Sequence, residues 1–212
     1  MNNASEIFEK NYNDYCAQIA GVNFESVKNT LGITSHEDRL VIPLFNRDYL
    51  ISKNGIADAS GARPDYMTSV ILAKYILLCP DQLHEDTEWV SFRDFRKTSH
   101  LTNLNFFRSD TEQAIEKRFS GRLDALSLAG KESGGMDHPM ASSYDLSMRF
   151  NALPRISLLL VFNDGDEEFA ARCSVLFQKQ AEFYLDPESL TMIGALLSKN
   201  LKKACDREFN RS

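Results

Sequence analysis

Long hydrophobic runs are missing from this 212-residue chain. Its most apolar stretches, Met67 to Cys79 and Ile156 to Phe162, contain or adjoin polar residues and fall short of the roughly 20 residues that a helix needs to cross a bilayer. No membrane-spanning helix is expected, and no membrane partner. The opening residues, with Asn2, Asn3, Ser5 and Glu6, lack a basic segment followed by an apolar one, so no secretory signal is read and a cytoplasmic location is expected. Positive charge is also in short supply. The 24 Lys and Arg against 30 Asp and Glu leave a net charge of -6, which gives no long-range attraction to a phosphate backbone, and no nucleic-acid partner is expected.

Cysteine and histidine are few and scattered. Cys16, Cys79, Cys173 and Cys205 form no Cys-x-x-Cys pair, the local arrangement that lets two thiolates reach one zinc ion or iron–sulfur cluster. They read as small buried hydrophobes. His36, His84, His100 and His138 never take the His-x-x-x-His step that sets two imidazoles on one helical face. No metal site is expected, and no cofactor is specified. Gly130 to Gly135 holds glycines but no Gly-Lys-Ser/Thr after a strand, and no serine sits in Gly-x-Ser-x-Gly, so a phosphate-cradling loop and a serine nucleophile elbow are both excluded.

What is present is ordinary globular material, 43% apolar and 25% charged, enough for a sizeable core. Ala4 to Ala20 reads as an amphipathic helix stopped by Gly21, and Asn23 to Leu31 as a second helix capped by Asn23 and ended by Gly32. From Ile33 to Ile56 branched and aromatic residues alternate with turn residues, which predicts a small antiparallel meander with Pro43 at an edge or bulge. Pro64 is placed to open a central core helix through Leu78. Trp89 to Phe95 fits a short strand or an ordered loop. Helices are predicted from Asp110 to Phe119 and from Arg122 to Ala129, with 131–142 as a flexible connection. Tyr144 to Ala152 alternates strictly, Ile156 to Phe162 reads as a strand covered on both faces, and after the Asn163 to Asp166 turn Phe169 to Phe177 returns. Pro187 opens a closing helix. The order predicts a single α+β domain over 1–212: N-terminal helices and a small meander, central helices, then a C-terminal three-stranded antiparallel sheet with a closing helix.

Candidate binding residues come from two places. The polar face of the 144–152 strand presents Asp145, Ser147, Arg149 and Asn151; if it lines a cleft, Arg149 with Arg155 can hold a carboxylate or phosphate. The plainer alternative is a wet sheet face. Arg93, with Asp94 and Arg96 among Trp89, Phe92 and Phe95, can offer a stacked guanidinium to an anionic or planar ligand, or else form an internal ion pair with Asp94 or Asp145. Asp164, Asp166, Glu167 and Glu168 crowd around Gly165 but lack the oxygen ladder of a calcium loop, and read as a charged hairpin tip. Leu101, Leu104, Phe106 and Phe107 are a candidate exposed patch for self-association.

The segments Trp89-Val90-Ser91-Phe92-Arg93-Asp94-Phe95, Tyr144-Asp145-Leu146, Leu153-Pro154-Arg155, Asp166-Glu167-Glu168-Phe169 and Val175-Leu176-Phe177, in that order, resemble a family described only as a domain of unknown function (DUF3786) and found in anaerobic bacteria and archaea. The likeness spans nearly the whole chain. It departs at Gln178, where the resemblance implies an aspartate, and after Phe95, where Arg96-Lys97-Thr98-Ser99 replaces a glycine-containing turn. Some relatives, the resemblance implies, carry a cysteine-rich cluster-binding segment in a setting of corrinoid and one-carbon metabolism; this chain has no such segment.

Two functional readings follow. In the first, the protein is a binding or accessory domain whose cleft near Arg93, Asp145, Arg149 and Arg155 holds a small anionic ligand or a partner protein. In the second, an enzyme site is assembled from distant segments, with Asp145 or His100 as proton acceptor and Arg149 or Arg93 as anion clamp. The two are separated by whether these residues share one concavity.

Overall fold

The computed structural model describes residues 3–95, 101–139 and 144–209. The chain opens with α1 (Asn3–Ala20) and α2 (Phe24–Leu31). The Asn23 side chain accepts from the Glu25 N–H at 3.1 Å, and Gly32 ends α2 in the left-handed region at φ 68°. Both helices agree with the sequence pattern. The meander is a four-stranded antiparallel sheet, β1 (Thr34–His36), β2 (Arg39–Leu44), β3 (Arg47–Ser52) and β4 (Gly55–Asp58), in sequential order. β1 pairs with β2 only as far as Val41. Pro43 therefore falls where β2 is a free edge on that side, as suits a residue without an N–H.

Next comes α3 (Tyr66–Leu77). It starts two residues later than Pro64 predicts, because the Asp65 carboxylate takes the N-cap and accepts from the Thr68 N–H at 2.9 Å. β5 (Trp89–Ser91) leads into a single 3-10 turn, Phe92–Asp94. The strand reading of Trp89 to Phe95 thus holds only to Ser91, and the turn lets Phe92 and Phe95 both enter the core, where Phe92 stacks on Phe107 at 4.5 Å between ring centroids. The helix predicted from Asp110 begins at Leu101 instead. α4 (Leu101–Phe107) runs through a π-helical turn (Arg108–Glu112) into α5 (Gln113–Phe119), and Asp110 lies inside that turn without capping anything.

The remaining elements are α6 (Leu123–Glu132), β6 (Met136–Asp137), β7 (Leu146–Leu153), β8 (Ile156–Asn163), β9 (Arg172–Gln178), α7 (Ala181–Tyr184) and α8 (Pro187–Phe209). The three expected C-terminal strands gain a short strand at each edge, giving an antiparallel five-stranded sheet in the order β5-β9-β8-β7-β6. β6 lies within the predicted connection. The return strand starts at Arg172, and Phe169 is exposed, because Asp166 turns the chain by accepting from the Glu168 and Phe169 N–H groups. Tyr144 is exposed too, one step outside the alternation.

The fold class is α+β. Met148, Phe150, Leu158, Leu160, Phe162, Val175 and Phe177 on one face of the large sheet join Leu40, Ile42 and Ile51 of the small sheet and Ile193, Leu197 and Leu201 of α8 in one contiguous apolar cluster. The four cysteines are free thiols, Cys173 and Cys205 buried, Cys16 and Cys79 half-buried. No described helix is long and apolar enough to cross a membrane.

Candidate functional site

The second face of the large sheet carries the residues of interest. Along β7, Met148, Phe150 and Ala152 face the core, while Ser147, Arg149 and Asn151 face the other way. Register places Ser157, Leu159 and Val161 of β8 on that second face, opposite Asn151, Arg149 and Ser147. Leu159 and Val161 are 0% and 2% exposed although they lie outside the main cluster. The cause is curvature. β5 and β6 are the outermost strands, and in a flat sheet four strand spacings would part them by roughly 19 Å. Trp89 on β5 and His138 just after β6 nevertheless meet edge to face, with ring centroids 5.9 Å apart. The two edges curl toward each other over this face and shelter it. It is a hollow, not the flat wet surface of the plainer alternative.

At the β7–β8 turn the hollow opens into a groove of about 690 Å3, lined by Arg149, Asn151, Ser157, Gln178 and Gln180 from the large sheet and its exit, by Glu85 and Thr87, and by Pro43 and Phe45 of the small sheet. Each wall has a local reason. A bulge between Asn151 and Leu153 interrupts the ladder, and the Ala152 carbonyl accepts from the Phe45 N–H at 2.8 Å, tying the two sheets together. Phe45 is held at φ 53°, a left-handed conformation unusual for an aromatic residue. The 84–88 segment is stapled in place: the Tyr184 hydroxyl accepts from the His84 N–H at 3.0 Å and donates to the His84 carbonyl at 2.9 Å, and Gln180 Oε1 accepts from the Asp86 N–H at 2.7 Å.

Arg149 is the cation inside the groove. Its Nη2 donates to Ser157 Oγ at 3.1 Å, and Ser157 Oγ donates to Asn151 Oδ1 at 3.1 Å. Its Nε is buried with no hydrogen-bond partner, and among the described residues no carboxylate lies within ion-pair distance of it. Arg155, in the turn after β7, is committed elsewhere. Nε and Nη2 donate to the Thr30 and Asn29 carbonyls, each at 3.0 Å, at the C-terminal end of α2 where a cation is favoured. Its backbone N–H donates to the Tyr75 hydroxyl at 3.2 Å, and Tyr75 donates to the Leu31 carbonyl at 2.7 Å. Burial pushes the Tyr75 phenol far above its ordinary pKa, so it remains a donor. A Cβ on Gly32 would lie 3.1 Å from Arg155 Nε, a second reason for glycine there.

The other two expected residues lie apart from the groove. Asp145 precedes β7 at its far end, where its carboxylate accepts from the Asp164 N–H at 2.8 Å. Arg93 lines a separate groove of about 680 Å3 with Arg108, Asn105 and Ser174, beside the half of β9 that β5 does not cover. Of the four expected residues only Arg149 lines the groove; the Arg155 guanidinium is taken up by the α2 carbonyls and by Glu85 at 3.7 Å, and neither Arg93 nor Asp145 reaches the groove. His100, Arg96 and Lys97 lie outside the described residues. Of the expected apolar patch, Phe107 is buried and Phe106 exposed. At the acidic tip Asp164 accepts from Gly121 and Gly165 N–H groups, and no cluster of three or more metal-ligating side chains occurs among the described residues.

Sequence reasoning missed Gln178, Gln180, Glu85, Thr87, Pro43 and Phe45 as groove residues. One signal was available for Gln178: a polar residue at the place where the family resemblance implies an acid. It is 7% exposed in the groove wall.

Fold and site together define an α+β protein with a polar groove between two antiparallel sheets, lined by one arginine, Arg149, and one acid, Glu85. The chain belongs to the family described as a domain of unknown function, DUF3786, whose model matches residues 23–200. No curated protein and no solved structure matches it.

Proposed function

We propose that the protein binds a small carboxylate-type anion in the groove between its sheets, with Arg149 facing the anion and Asn151, Ser157 and Gln178 as polar neighbours. It acts in the cytoplasm as a binding or accessory protein. The observation that carries this reading is the guanidinium of Arg149, half-buried in the groove, with one hydroxyl partner and no carboxylate within ion-pair distance among the described residues. The acid of the groove wall, Glu85, is paired with Arg155 at 3.7 Å. Leaving a buried donor unmet costs about 1–3 kcal/mol, and an incoming oxyanion would relieve that cost. The groove volume lies within the span of about 300–1,000 Å3 typical of small-molecule sites.

The test is a thermal-shift panel of carboxylates, nucleotides, phosphates and corrinoids on the wild type and on Arg149→Gln. Stabilisation by a carboxylate that disappears in Arg149→Gln supports the reading. Stabilisation by none, or stabilisation that Arg149→Gln leaves intact, contradicts it.

A further inference from the structure

A second cavity, of about 250 Å3, lies between α8, the turn after β2 and the loop before α3, and Phe45 lines both it and the groove. Its wall holds Arg47, Arg63, Lys199 and Lys203 against Asp58 and Asp65. On a chain of net charge -6 this is a local reversal of sign.

Both acids are already used. Asp58 Oδ1 closes its own loop by accepting from the Ser60 N–H at 2.9 Å, the Ser60 hydroxyl at 2.6 Å and the Ala62 N–H at 3.0 Å. Asp65 caps α3 and pairs with Lys199 at 2.7 Å. Arg63 pairs with Glu9, which does not line the cavity, at 2.9 Å, and lies over the Tyr12 ring. Arg47 and Lys203 have no carboxylate within ion-pair distance among the described residues. Lys199 and Lys203 are one helical turn apart on α8, a like-charge spacing that is mildly unfavourable unless an anion sits between them. Burial pushes the Tyr49 phenol up, against the nearby Arg47 guanidinium, so the hydroxyl stays protonated and available as a donor beside Arg47.

We propose that this cavity is a second anion site, one that takes a phosphate-type dianion, either free phosphate or the phosphoryl group of a small ester, through Arg47, Lys203 and the Tyr49 hydroxyl. A tetrahedral dianion accepts from several directions at once, which suits an arginine fork, a lysine point charge and a phenol arriving from β3 and α8. The single guanidinium of the other groove suits a lower charge. The volume admits a phosphoryl group and a few further atoms, not a whole nucleotide.

The test is calorimetric titration with inorganic phosphate and with glycerol phosphate at fixed ionic strength, on the wild type, Arg47→Gln, Lys203→Gln and Arg149→Gln. The expected result is saturable binding of at least one of the two, weakened about tenfold or more by Arg47→Gln and by Lys203→Gln and unchanged by Arg149→Gln. Tighter binding of the ester identifies a phosphorylated metabolite as the ligand class, and tighter binding of the free ion identifies phosphate; both support the site. Lys203 is exposed, so its variant keeps the test valid if Arg47→Gln fails to fold. No binding of either ligand, binding indifferent to Lys203→Gln, or binding lost in Arg149→Gln would overturn the proposal without touching the carboxylate groove.

Discussion

Arg155 ties the β7–β8 turn to the end of α2 through two carbonyl hydrogen bonds, so its removal acts on stability. Hydrogen bonds from charged donors are worth about 1.5–3 kcal/mol each in favourable settings, and this side chain is partly exposed. Arg155→Ala is therefore expected to lower the unfolding free energy by about 2 kcal/mol in a urea titration. Gln178→Asp works in the opposite sense to a truncation. It sets a fixed carboxylate in the wall of the Arg149 groove, and a bound carboxylate is then expected to dissociate about tenfold more readily by calorimetry. The strand alternation made Arg149 legible as a residue turned away from the core. It did not separate Arg149 from Arg155, since nothing in the spacing of the two tells that one guanidinium is taken up by helix carbonyls 125 and 126 residues away in sequence. Asp145 was drawn to the same site by the strand alternation and Arg93 by its aromatic neighbours, and neither signal carries a distance.

At the scale of elements, α3 and α8 cap each other. Asp65 at the start of α3 receives Lys199 of α8, and Asp186 at the start of α8 accepts from the Ser189 N–H and pairs with Lys74 of α3 at 3.3 Å. The two helices are antiparallel, so each negative N-cap meets a lysine from the other. Burial acts to raise both carboxyls, but the Lys199 and Thr68 contacts at Asp65, and the Ser189 and Lys74 contacts at Asp186, outweigh it and hold both below the usual carboxylate range. A depressed folded-state pKa gives stability that is fully present above the unfolded carboxyl value of about 3.9 and is lost as the pH falls through the folded value. Urea midpoints measured from about pH 5 downward should fall in that acidic window, and Asp186→Asn, which keeps the cap, should flatten the fall. Gly194 on α8 makes a second prediction. A Cβ there would lie 2.6 Å from Phe107 Cε2 and 2.6 Å from Thr111 Oγ1 on the π-helical turn. Gly194→Ala should destabilise, by about 1–2 kcal/mol net in urea unfolding, because overpacking of about 1–3 kcal/mol exceeds the helix-propensity gain of up to about 1 kcal/mol.

Elements with strong local signals were readable in advance: α2 between Asn23 and Gly32, the meander, β7 by its alternation and β8 by its continuous apolar run. Those set by distant contacts were not. The π-helical turn hides behind capping-type residues at Asp110 and Thr111, although the helix already runs from Leu101. The free half of β9 is satisfied by side chains instead of a strand, as the Glu116 and Glu112 carboxylates accept from the Cys173 and Val175 N–H groups at 2.9 and 3.1 Å. β6 is too short for any period to announce it, β5 was only one of two readings of Trp89 to Phe95, and the place of both at the edges follows only from pairing with β9 and β7.

For the whole molecule, the proposed function rests on the place where the two sheets meet. The Phe45 to Ala152 hydrogen bond joins them, the large sheet curls so that its edge rings touch, and the resulting groove holds one guanidinium with no carboxylate at ion-pair distance among the described residues. That arrangement is produced by the tertiary fold, and no single segment contains it. The most direct measurement is the side-chain Nε–H signal of Arg149 in a 1H–15N NMR spectrum, assigned by its loss in Arg149→Gln and followed as small carboxylates are titrated. A saturable shift of that signal, with the arginines outside the groove unmoved, is the predicted result. A signal that stays fixed with every carboxylate, or that moves only in step with ionic strength, would contradict the account.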